Sequence, residues 1–221
     1  MPSLDANLKA LFDAERAVRT VHEELAQQDP RALVPVLQRA THEAMGTDEA
    51  EASLRLVRIA SILGEVEGAA AVDLLIDILG SESPEARHEA GEELGARAWE
   101  RFKEVALGVE RALERLPDGN LALLELPYIL AEIPEPGVLK LLGRFLAHRD
   151  VEAVASTIEA IVETGDPDAI PLLKPFANDP RKVEIEDDGG TEGEATIGEL
   201  ATEAMDVLKR GNMDASKGAS S

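Results

Sequence analysis

Apolar residues recur along the chain at spacings of three and four, and Pro, Gly or Asp interrupts them every 12 to 18 residues. That spacing is the period of an amphipathic helix, so the pattern predicts a series of short helices. The first, over 4–28, carries Leu4, Leu8, Leu11, Phe12, Val18, Val21 and Leu25 and stops before Asp29-Pro30, where the residue ahead of proline avoids the helical region. Further helices are predicted over 30–45, 48–64, 68–80, 84–97, 98–116, 120–132, 136–148, 150–165, 167–178 and 197–210. Between 183 and 197, Val183/Ile185 and Ala195/Ile197 alternate around a Gly-rich turn, which predicts a β-hairpin. The small polar residues of 211–221 predict a disordered tail.

The helices repeat. Ala71-Val72-Asp73-Leu74-Leu75-Ile76-Asp77-Ile78-Leu79 aligns without gaps with the nine residues from Val138 and the nine from Ala169, at offsets of 67 and 31. These are two units and one unit of about 31 to 34 residues, and Val34-Pro35-Val36-Leu37 is a weaker copy. The partner helix repeats as well. Ser83-Pro84-Glu85 gives a cap, a first-turn proline and an early acid, and Asp150 to Gly165 replays the design with Val154, Ile158 and Val162 in the places of Ala86, Ala90 and Leu94. A helix pair this small cannot bury its apolar stripe alone, so the units must stack. The segments Ala71–Gly95, Val138–Gly165 and Ala169–Arg181 resemble HEAT repeats, in particular the short HEAT-like repeats of phycobilin lyases. The resemblance implies an all-α, right-handed solenoid of about five helix pairs over 30–210, with a capping helix over 1–29 and the hairpin as an insertion near the C-terminal end.

Composition narrows the function. The 221 residues hold 22 Lys+Arg against 44 Asp+Glu, a formal charge of −22, which repels phosphate backbones and anionic lipid. Neither nucleic acid nor membrane is expected as a partner, and a basic or helical protein segment is. Six aromatic residues imply an aliphatic, alanine-rich core, and Trp99 and Phe102, at the weakest repeat, read as part of a hydrophobic cluster and not as a ligand site. Without cysteine there is no disulfide, thiolate nucleophile or cysteine metal site. No apolar run approaches a membrane span and no leader pattern is visible, so a cytoplasmic monomer or weak oligomer is expected.

Three histidines precede a glutamate: His22-Glu23, His42-Glu43 and His88-Glu89. Imidazole and carboxylate suit non-haem iron, and among HEAT-like proteins deoxyhypusine hydroxylase holds two irons with His-Glu pairs in successive repeats. The positions matching His88-Glu89 in the other repeats are Val57-Arg58, Leu124-Glu125, Ser156-Thr157 and Thr202-Glu203, none with a histidine. Solvated helix-surface residues are therefore the favoured reading, and no catalytic residue, metal ligand or cofactor is assigned. Charge offers more. Residues 65–93 hold nine acids against Arg87, and 183–206 hold nine acids and no base. From these zones Glu89, Glu92, Glu93, Glu184, Glu186, Asp187 and Asp188 are expected to bind a protein partner on an acidic concave surface. The reading is a non-enzymatic scaffold or adaptor. Its alternatives are a metal-dependent hydroxylase, a lyase-like enzyme subunit, and an acidic mimic of DNA.

Overall fold

A computed structural model of the protein describes residues 3–186 and 192–218. It is mostly helical. The helices are α1 (Leu4–Ala26), α2 (Pro30–Ala44), α3 (Glu49–Glu65), α4 (Ala69–Leu79), α5 (Pro84–Arg115), α6 (Leu121–Ala131), α7 (Gly137–Leu146), α8 (Val151–Thr164), the single turn α9 (Ile170–Leu173) and α10 (Ile197–Gly218). Polar residues start them where helical N–H groups lack partners. The side chains of Ser3, Asp29, Asp48, Ser83, Asn120 and Asp150 each accept a first-turn N–H.

Two predicted boundaries differ. The helices expected over 84–97 and 98–116 are joined in α5, whose break falls at Arg101 (φ −139°, ψ 50°). With no Pro or Gly between Arg97 and Arg101, the chain turns at one residue and needs no loop. The single helix expected over 167–178 is instead two 3₁₀ turns flanking α9, because Pro167, Pro171 and Pro175 remove helical donors every fourth residue. In the segment expected as a disordered tail from 211, α10 continues to Gly218. Once Met205 and Leu208 anchor the helix in the core, each added residue costs little and gains a hydrogen bond.

Successive units knit at the spacing of the sequence repeat. Arg97 donates Nη2–H to the carbonyls of Leu63, Gly64 and Val66 at 2.7, 2.9 and 2.7 Å, closing the C-terminus of α3 from one repeat downstream. The Gly119 N–H donates to Asp150 Oδ2 at 2.7 Å, Tyr128 Oη–H to Glu159 Oε2 at 2.6 Å, and Arg181 Nη1–H to the His148 carbonyl at 3.0 Å, at separations of 31, 31 and 33 residues. One row runs α3, the first half of α5, α6, α8 and α10, each packed on the next. In the other, α4 lies against the second half of α5, which meets α7. The core is aliphatic as expected, and Phe145 is its only fully buried aromatic among the described residues. Burying a side chain such as Leu75 or Leu142 stabilises by about 1.5–3 kcal/mol.

The hairpin forms as predicted, β1 (Lys182–Glu186) antiparallel to β2 (Glu192–Thr196), with Val183 opposite Ala195. That pair is buried, and β1 lies against α8. The helix expected to cap the stack does so only at its end. No α1 side chain is fully buried, and only Leu25 packs on the core.

Candidate functional site

Between the first half of α5 and α6 lies a groove of about 580 Å3, within the range of sites for small ligands. Glycine spacing opens it. Gly91 and Gly95, one turn apart on α5, face Ile129 of α6, and a Cβ at either would sit 3.6 or 3.9 Å from it, in ordinary contact. The missing side chains leave a floor. Around it stand Arg87, His88, Glu92 and Trp99 from α5, with Glu125, Tyr128 and Glu132 from the α6 side. Trp99 is 63% exposed, so its ring meets solvent at the rim.

The groove is acidic with aromatic faces. Glu125 lies 3.6 Å from Arg87, while Glu92 and Glu132 enter no ion pair among the described residues. Burial, and then the hydrogen bond to Glu159, push the Tyr128 phenol far up, so it stays protonated and its ring is held in place. Carboxylates beside Trp and Tyr faces are the surroundings that attract an ammonium or guanidinium group. His88 is the groove's one imidazole, able to take or give a proton.

No family model matches the chain, and no curated protein matches it. Three solved structures align with it: human deoxyhypusine hydroxylase in complex with glycerol (16% identity, 91% of this chain and 99% of that chain, TM-score 0.36) and two engineered proteins from a structural genomics consortium. These two show 18% and 16% identity, cover 88% and 89% of this chain and 97% and 92% of their own, and have TM-scores of 0.34 and 0.32.

The histidines divide. His22 Nε2 meets Glu65 Oε1 at 2.7 Å, His42 sits exposed in the last turn of α2, and His88 lines the groove. None joins two further ligands at metal distance, so among the described residues the paired-iron arrangement implied by the resemblance does not fit. The group that does gather holds the fourth histidine. Ligand atoms of Asp118, His148 and Asp150 lie within 4.8 Å of one another, a cluster the sequence reading passed over. Its atoms already have structural work. Asp150 Oδ1 accepts the N–H groups of Glu152 and Ala153, its Oδ2 accepts that of Gly119, His148 Nδ1 accepts the Asp150 N–H, and Asp118 Oδ1 accepts from Arg149 Nε. The signal available in sequence was the 31-residue spacing from Asp118-Gly119 to Arg149-Asp150. The expectation that the chain is no enzyme is withdrawn: a His/Asp/Asp group of the kind that can hold a metal ion is present among the described residues.

The expected binding residues do not gather in one place. Glu92 lines the groove; Glu93 lies over Gly64 on the α3 side of α5, and half-buried Glu89 is near enough to raise its pKa. Glu184 is exposed on β1, where its charge reaches Glu152 of α8, at the far side of α6 from the groove. Glu186 ends β1, and Asp187 and Asp188 lie outside the described residues. Missed were Trp99, read as core, and Tyr128 and Glu132.

Proposed function

We propose that the protein is a helical-repeat enzyme or enzyme subunit of the lyase-like kind, and that the α5–α6 groove takes a cationic group, a lysine or arginine side chain presented by another protein. The observation that carries this is the convergence of His88, Glu92 and Glu132 with the faces of Trp99 and Tyr128 around a glycine floor. Glu92 and Glu132 hold the cation, the aromatic rings cover it, and His88 takes a proton from the bound ammonium, leaving a neutral amine and an imidazolium. The acidity of the chain, with its HEAT-like stacking, brings basic segments to this row of helices. The ion-pair network of the other row supports a rigid frame for it.

Trp99 is the chain's only tryptophan, so its emission reports the groove. Titration with an oligolysine peptide at low salt is expected to shift that emission, Glu92→Gln with Glu132→Gln to weaken the response about tenfold, and His88→Ala to keep it. Mass spectrometry of the recovered peptide then looks for a covalent change that His88→Ala loses. An emission that ignores the peptide overturns the proposal. A second reading, favoured by the mutual reach of Asp118, His148 and Asp150, places a divalent cation there. Metal analysis of the purified protein beside His148→Ala tests it.

A further inference from the structure

We propose that α1 is a dimerisation arm that pairs antiparallel with α1 of a second copy of this chain. Leu4, Leu8, Leu11, Val18 and Leu25, with Glu15 and His22 between them, fall on alternating steps of four and three, which is the a/d seam of a coiled coil over three heptads. Within its own chain most of that seam is exposed. Leu4 is 86% exposed and Leu11 56%, and Leu8, Phe12, Val18 and Val21 are exposed with them. A helix of 23 residues is about 35 Å long. Only its last turns, through His22 on Glu65 and Leu25 on the core, rest on the array. An isolated helix gains little from propensity alone, so the projecting turns need a partner to hold their shape.

Charge selects the partner and its direction. In an antiparallel pair Leu8 faces Val18 of the second copy, Leu11 faces Glu15, and Asp5 stands beside Arg19, twice by symmetry. Phe12 and Ala14 meet their own counterparts near the two-fold axis. A parallel pair sets Glu15 against Glu15 and His22 against His22, and forces both arrays to the same end. Antiparallel pairing removes both conflicts. An anionic lipid surface suits the stripe poorly, because α1 carries Asp5, Asp13, Glu15, Glu23 and Glu24 against Lys9, Arg16 and Arg19.

Light scattering after size exclusion of the full chain, at tens of micromolar, is expected to give twice the 23.7 kDa of one chain. Leu11→Asp, which alters no buried contact, is expected to return the mass to one chain and to lower the helical circular dichroism only by the share of the projecting turns of α1. Asp5→Arg and Arg19→Asp are each expected to weaken the dimer at least about fivefold, and together to restore it. Because the chain has no cysteine, single substitutions read the direction. Ala14→Cys is expected to form a disulfide-linked dimer and Leu4→Cys not to. A single-chain mass, a Leu4→Cys cross-link, or a monomer that binds phosphatidylserine vesicles overturns the proposal.

Discussion

Two seams of the array, on opposite sides of α5, use the same residue types to opposite ends. Where α4 meets the second half of α5, Gly108 lets the helices close: a Cβ there would lie 2.4 Å from Val72 Cγ1. Arg111 forks onto Asp73 at 2.8 and 3.1 Å, and Arg115 pairs with Asp77. Where the first half of α5 meets α6, Gly91 and Gly95 leave space that a methyl group would fill without strain. The acids there, Glu92 and Glu132, face the groove. In one seam glycine and carboxylate are consumed by packing and pairing; in the other they are left for something else to meet.

The largest effect belongs to the strongest closed contact. Arg97, 8% exposed, supplies one guanidinium to three carbonyls at the end of α3. Arg97→Ala strands those acceptors and is expected to cost about 3 kcal/mol, a fall in Tm of roughly 9 °C for a chain of this size. Calorimetry checks it, and a change of under about 1 kcal/mol would show that water replaces the cap.

The matched glycines come next. Gly108→Ala must displace a branched Val72 and is expected to destabilise by about 1–2 kcal/mol. Gly91→Ala meets only ordinary contacts, so helix propensity governs, and it is expected to stabilise by about 0.5–1 kcal/mol while weakening the Trp99 response to peptide. Equal signs for the two would erase the distinction between the seams.

The sequence made the helices, the repeat and the hairpin legible because apolar period and cap chemistry are local. It misread the charge because pairing is not. Residues 65–93 count as nine acids against one base, yet Glu67, Asp73 and Asp77 meet Arg101, Arg111 and Arg115, which lie a repeat or so downstream, and Glu65 meets His22 from α1. A window shorter than the repeat sees the acids and misses their partners. The groove was hidden for a related reason. Trp99 reads as core at helical spacing, and only the stacking of α6 on α5 shows that its ring stays outside, facing Tyr128 and Glu132 one repeat further on.

The smallest effect separates the two faces of α5 by pH. Glu93 lies over Gly64 on the α3 side of α5, half-buried, and burial, then the charge of Glu89, hold its carboxyl above the usual range. A group raised in this way contributes stability that is fully present below the ordinary carboxylate pKa and is lost as pH rises through the folded value. Glu93→Gln removes that loss, so it is expected to raise Tm at pH 7 and to leave it unchanged below about pH 4. Asp179 is the opposite case. The hydrogen bond from Arg181 holds its pKa down, so Asp179→Asn is expected to lower Tm at pH 7, with the deficit fading as acid protonates the wild-type carboxylate. Melting curves from pH 3 to 8 check both signs. Because Glu93 turns away from the groove, Glu93→Gln should leave the Trp99 response to peptide intact; a loss of that response would mean that the α3 and α6 sides of α5 act as one surface.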